Sequence, residues 1–226
     1  MELLVFGHAG ARTVVFPARF GRFYDYENWG LIEALRWPIE QGFLQLYCLD
    51  SIDAEALYGH HLHPRDRIRR HGWYEAYVLD EVLPLSRQLN PSPFTIAHGC
   101  SLGAYHAINI ALRHPHRFDK VVALSGRFDL TQSIAHYRGL FDDYYDEEIY
   151  FHTPAHFVPN LSDHHLLERI RRLEIALAVG DSDPFVHSNR HLSHWLWEKG
   201  AWNALHLWPG EAHKPRDWRD MIRCYL

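Results

Sequence analysis

Apolar residues along this chain recur in two rhythms. Short, nearly continuous apolar runs bounded by Gly, Pro, Asn or Asp read as buried strands at 3–6, 13–16, 44–49, 94–98, 120–124, 175–179 and 204–208. Between them lie stretches with helical spacing, at 29–40, 65–89, 103–114, 185–199 and 215–225. Breakers fall at the joins: Gly42, Asn90-Pro91, His114-Pro115 and Gly200. Strands that alternate with helices in this way form a mainly parallel sheet with helices on both faces, because a parallel return needs a crossover over the sheet. The expected fold class is therefore α/β. No repeat, linker or low-complexity tract divides the chain, so residues 1–226 are expected to form a single domain. Only 127–173 is too long for a simple crossover, and it is expected to contribute a pocket wall. That stretch is rich in aromatic and acidic residues. It reads either as an aromatic acyl or aryl pocket or as a small satellite core with an acidic, solvated face.

Composition narrows the function classes. With 47% apolar and 23% charged residues in 226, the chain is an ordinary globular protein able to bury a large core. A net charge of −5 without a basic arm or stripe argues against a nucleic-acid partner. The start, MELLVFGHAG, lacks the basic opening and long apolar run of a secretory signal, and no apolar segment reaches membrane length. Three cysteines leave one unpaired in any arrangement, which suits the reducing cytoplasm. Eight tryptophans leave a homo-oligomeric surface open, although burial is the commoner fate of that residue.

The candidate chemistry sits at Gly99-Cys100-Ser101-Leu102-Gly103, a Gly-x-Ser-x-Gly between an expected strand and an expected helix. A nucleophile elbow needs that context, since a sharp strand-to-helix turn lifts the serine out of the sheet and the glycines admit close backbone approach. A serine hydroxyl attacks only when a base takes its proton and a third group holds the base. In α/β-hydrolases the partners follow in the order Ser, acid, His. After the strand at 175–179 comes Gly180-Asp181-Ser182-Asp183-Pro184, which offers Asp183 first and Asp181 in reserve. Asp183 could instead simply cap the next helix. After the strand at 204–208 comes Pro209-Gly210-Glu211-Ala212-His213, which offers His213 as the base. For the developing oxyanion the backbone N–H of Leu102 is one candidate donor. The other belongs to the loop after the strand at 13–16, with Arg19 preferred to Ala18; the Arg19 guanidinium could also meet a substrate anion.

Two further motifs read as structure rather than chemistry. His60-His61-Leu62-His63 has no carboxylate or Cys partner and is expected to be a polar loop rather than a metal site. Arg65, Arg67, Arg69 and Arg70 open a helix against its dipole and read as a solvated charged face.

Over nearly its whole length the chain resembles the esterase D-like branch of the α/β-hydrolases. The resemblance is carried by Val15-Phe16-Pro17 with Gly21-Arg22-Phe23-Tyr24-Asp25-Tyr26-Glu27, by Gly99 to Ala107, by Ala123-Leu124-Ser125-Gly126 and by Leu196-Trp197-Glu198-Lys199-Gly200. It implies an α/β-hydrolase fold and ester hydrolysis, with Ser101 as nucleophile and His213 as base. The partner implied is a small-molecule ester, short-chain or aryl, with no cofactor and no metal. One departure stands out: relatives usually read His-Asp-Trp where this chain has His213-Lys214-Pro215-Arg216-Asp217-Trp218. Thioester hydrolysis, acyl transfer to an alcohol and a non-catalytic binding protein on the same scaffold are the alternatives.

Overall fold

The computed structural model describes residues 1–226. Seven strands form one sheet: β1 (Leu3–Phe6), β2 (Ala11–Phe16), β3 (Leu44–Leu49), β4 (Thr95–Cys100), β5 (Lys120–Leu124), β6 (Glu174–Gly180) and β7 (Asn203–Trp208). Their order is β1-β3-β2-β4-β5-β6-β7. Only β1 runs antiparallel to its neighbour, and all other pairs are parallel. Each expected strand is present, with ends displaced by at most two residues.

Alternation along the strands feeds two cores. Val14, Val121 and Leu177 face one side. Their neighbours Val15, Val122 and Ala178 face the other, where they meet Trp218, Met221 and Ile222 of α11 (Pro215–Tyr225). A fully parallel interior buried on both faces explains why the strands read as continuous apolar runs rather than alternating ones.

Two expected helices are broken, each for a local reason. Three short helices stand here, α1 (Asp25–Asn28) just before the 29–40 stretch and α2 (Leu31–Ala34) and α3 (Arg36–Glu40) within it. Gly30 adopts φ +73° between the first two. Pro38 would collide with the carbonyl of Ala34 in a continuous helix. The 65–89 stretch runs as α4 (Pro64–Tyr77), a π-helical turn (Val78–Val82) and α5 (Leu83–Leu89). The wide turn contains Asp80, the residue whose carbonyl the ring of Pro84 would otherwise strike.

The remaining helices are α6 (Leu102–Arg113), then α7 (Glu147–Phe151), α8 (Pro154–Asn160) and α9 (His164–Ile170) within 127–173, and α10 (Val186–Glu198). In the 127–173 stretch, Leu130, Leu140, Phe141 and Ile149 pack with Leu57, Ile68, Leu102 and Tyr105 as a satellite core. Phe128 and Phe157 join the main core.

The arginine-rich start of α4 corrects the expectation of a purely solvated face. Arg65 and Arg69 are exposed, but Arg67 is wholly buried. Its guanidinium donates to the Leu140 carbonyl at 2.7 Å and pairs with Asp142, tying the 127–173 segment to α4. Burial is also not the rule for the tryptophans, since Trp37, Trp73, Trp197 and Trp202 are exposed. No helix is long and apolar enough to cross a membrane.

Candidate active site

Ser101 sits at the junction of β4 and α6 with φ +56° and ψ −116°. For a residue with a side chain such a backbone costs about 1–3 kcal/mol, so the surroundings must hold it in place. The Ser101 N–H donates to the Leu124 carbonyl at 2.8 Å. The flanking glycines are steric necessities. A Cβ on Gly99 would lie 2.3 Å from the Gly103 backbone carbon, and one on Gly103 would lie 2.3 Å from the Phe16 carbonyl oxygen. The elbow therefore packs backbone against backbone on both sides.

The other two candidates come from loops at the same end of the sheet. His213 follows β7, and its Nε2 lies 3.0 Å from the Ser101 Oγ. Asp183 follows β6 and is buried, and its Oδ2 accepts from His213 Nδ1 at 2.7 Å. The other oxygen of Asp183 accepts from the Phe185 N–H at 2.8 Å. That contact closes a turn within the loop and does not cap α10, whose N-cap is Phe185 with no side-chain cap bond, so orienting His213 is the role left to the carboxylate. With Nδ1–H donating to Asp183, the lone pair of Nε2 faces the Ser101 hydroxyl. Asp181 is exposed and tied elsewhere, accepting from the Ser182 hydroxyl and the Gly210 N–H, both at 2.9 Å.

The histidine loop is braced from behind. The edges of Phe185 and Trp218 meet the His213 ring at centroid distances of 5.5 and 5.4 Å. Trp218 Nε1–H donates to Ser125 Oγ at 3.1 Å, and Ser125 O–H donates to the Ala212 carbonyl at 3.3 Å. Ser125 lies in a stretch that carries the family resemblance and Trp218 in the one that departs from it, and nothing in their spacing announces this bracing role.

The Leu102 N–H stands at the start of α6, directly after Ser101, where the first amides of a helix have no intrahelical acceptor. In the loop after β2, the Phe20 N–H is taken by Asp53 Oδ2 at 2.7 Å and the Gly21 N–H by the Ala18 carbonyl at 2.8 Å. Ala18 and Arg19 line the cavity beside Ser101 together with Leu102. Asp53 was not legible as part of the site, since the contact spans 33 residues. The cavity has a volume of about 210 Å³ and is walled by Tyr58, Leu130, Tyr137, Phe185 and Trp218. Of the aromatic residues expected to form a pocket in 127–173, Tyr137 reaches it, while Phe128, Phe141 and Phe157 are spent on core packing.

Two of the three histidines of the 60–63 loop are engaged in structure, and His61 is exposed. His63 caps α4 by accepting from the Arg65 N–H, and His60 contacts Arg67. Behind the elbow, His98 of β4 is buried, with Nδ1–H donating to the Val122 carbonyl at 2.7 Å and Nε2 meeting the Tyr26 hydroxyl. Burial pushes its pKa down to about 4, so it is neutral.

Comparison with known proteins agrees with this architecture. Residues 62–207 match the family model described as "Putative esterase". No curated protein sequence matches the chain. Among solved structures, an S-formylglutathione hydrolase from Agrobacterium tumefaciens superposes with a TM-score of 0.73 at 16% identity, over 98% of this chain and 86% of that one. A ferulic acid esterase does so with a TM-score of 0.70 at 15% identity, over 98% and 89%. The fluorophosphonate-binding serine hydrolase F of Staphylococcus aureus gives 0.66 at 19% identity, over 96% and 82%. These neighbours share the α/β-hydrolase fold. With the family match extending across the elbow, the Asp183 loop and most of β7, the chain belongs to the "Putative esterase" family of α/β-hydrolases and is a carboxylic ester hydrolase.

Proposed function

We propose that this esterase cleaves short-chain or aryl esters through a Ser101 acyl-enzyme. Ser101 is the nucleophile, His213 the base and then the acid, Asp183 the orienting carboxylate, and the N–H groups of Leu102 and Arg19 the oxyanion donors. The observation that carries the reading is the unbroken hydrogen-bonded line from Asp183 through His213 to Ser101, at 2.7 and 3.0 Å.

Ser101 Oγ attacks the ester carbonyl carbon while its proton passes to His213 Nε2. The carbonyl π electrons move onto oxygen, and the oxyanion meets the two N–H donors, each worth about 3 kcal/mol of barrier. Collapse breaks the bond to the alcohol oxygen, which leaves with the proton from Nε2. Water then gives a proton to Nε2 and its oxygen to the acyl carbon; the second collapse releases the acid and returns the proton to Ser101. Asp183 keeps the imidazole in the required tautomer and steadies the imidazolium without taking its proton. A chamber of about 210 Å³, walled in part by Tyr58, Leu130, Tyr137, Phe185 and Trp218, favours small or aromatic groups over long lipid chains. The three unpaired cysteines support a cytoplasmic location.

The test is a panel of short-chain and aryl esters run on the wild type and on Ser101→Ala, alongside labelling by a fluorophosphonate. Turnover and labelling are both expected to vanish in the variant while its circular dichroism stays that of the wild type. Persistent hydrolysis by a folded Ser101→Ala protein would remove Ser101 as the nucleophile. Added alcohol that captured most of the acyl group would identify a transferase instead.

A further inference from the structure

Beyond the chamber at Ser101 the cleft opens into a second one of about 440 Å³. Arg19, Tyr58, Arg127 and Tyr137 belong to the walls of both, so a substrate longer than the inner chamber reaches these side chains first. Charge on these walls is not balanced. Arg19, Arg127 and Arg138 line the outer chamber, and its one acid, Asp142, is already paired with the buried Arg67. No acid lines the inner chamber. A protein of net charge −5 thus presents a cationic basin beside its nucleophile.

The arginines differ in what holds them. Arg127 is buried and spends its N–H groups on the carbonyls of Asp129 at 2.9 Å, Arg138 at 3.0 Å and Gln132. Those carbonyls satisfy its hydrogen bonds, and the Asp129 carboxylate offsets only part of its charge, so it supplies a fixed positive potential. Arg19 is exposed, with its guanidinium carbon 5.8–5.9 Å from the ring centres of Phe20, Tyr58 and Tyr137. Aromatic faces steady the cation, and apart from a contact with the Tyr58 hydroxyl its N–H donors remain for a ligand. Arg138 is exposed beside it. A guanidinium fork matches a carboxylate, which accepts two parallel N–H bonds from it.

Resting on the proposed ester hydrolysis at Ser101, we infer that the natural substrate is an ester bearing a second group, a carboxylate, bound by Arg19 with Arg138 in support and Arg127 as background charge. The carboxylate selects the substrate, and the chemistry at Ser101 is unchanged by it.

Matched ester pairs test this. Sodium 4-acetoxybenzoate against methyl 4-acetoxybenzoate places the charge on the alcohol side, and 4-nitrophenyl monoadipate against 4-nitrophenyl hexanoate places it on the acyl side. The readout is the ratio of kcat/KM for the charged ester to that for the neutral one, from which any general loss of turnover cancels. In at least one pair, Arg19→Met is expected to lower that ratio about ten- to hundredfold, the worth of a hydrogen bond to a charged group. Arg138→Met should lower it less, Arg19→Lys should restore part of it, and added salt should lower it in the wild type. Ratios in both pairs that are the same in wild type, Arg19→Met and Arg138→Met would overturn the carboxylate subsite alone, provided neutral esters are still turned over and Ser101 is still labelled. If the wild type hydrolyses none of the four esters and Ser101 resists labelling, the esterase mechanism falls and the subsite with it.

Discussion

Mild acid should destabilise this fold well before its carboxylates titrate. His98 donates from Nδ1 to the Val122 carbonyl and accepts at Nε2 from Tyr26. His152, at the end of α7, donates from Nδ1 to the Glu148 carbonyl at 2.8 Å and takes an N–H of Arg113 at Nε2. Both rings use a lone pair that a second proton would occupy. Burial lowers the pKa of His98 to about 4. Burial first, and the neighbouring Arg113 charge second, lower that of His152 to about 4 as well. In the unfolded chain a histidine titrates near 6.5. Because the folded value is the lower one, the unfolded chain binds more protons between these limits. The stability is complete above about pH 6.5 and is lost as the pH falls towards 4. At pH 5 the loss amounts to about 2 kcal/mol per site, so about 4 kcal/mol for the two, against a total of about 5–15 kcal/mol for a typical domain. His71, pushed down by its burial and then by His152 and His106, adds in the same direction. Urea unfolding followed by tryptophan fluorescence at pH 7.5 and pH 5 measures the difference, with constant m-values to show that the unfolded state is the same. His98→Gln, which cannot take the proton, should flatten the dependence. Equal midpoints at the two pH values would refute the neutral, lone-pair-accepting assignment of both rings.

Four further outcomes follow from the site. Asp183→Asn should lower kcat by about 10⁴-fold, because the amide N–H₂ facing Nδ1 forces the imidazole proton onto Nε2. Asp181→Asn should leave steady-state kinetics on an aryl ester close to wild type, since Asp181 only joins the loops after β6 and β7. Asp53→Ala frees the Phe20 N–H and loosens the loop that carries Arg19. A fall in kcat of about tenfold, smaller than outright loss of an oxyanion donor, is expected with little change in KM. Asp53→Asn, which keeps an acceptor oxygen, should recover most of it; equal losses in both variants would argue against a positioning role. Gly103→Ala places a methyl 2.3 Å from the Phe16 carbonyl oxygen and should cost at least about 2 kcal/mol in thermal or urea unfolding.

What could be read from the residues alone was what acts over a few positions. Strands of a doubly covered parallel sheet are apolar runs between breakers, so all seven were legible with their approximate ends. The elbow was legible too, because two glycines around a serine answer a steric demand local to one turn. Ser101, Asp183 and His213 could be named as candidates since each follows a strand at the same end of a parallel sheet. Contacts between distant residues were another matter. The sheet order sets β6 beside β7, and that adjacency brings the His213 loop to Asp183 while Asp181, two residues earlier, turns to Gly210 instead. The same long-range packing buries Arg67, gives Phe20 its acceptor in Asp53 and braces Ala212 through Ser125 and Trp218. Local rules dictate which element a residue joins, but which side chain it meets depends on elements far away in sequence, and only the folded chain settles that.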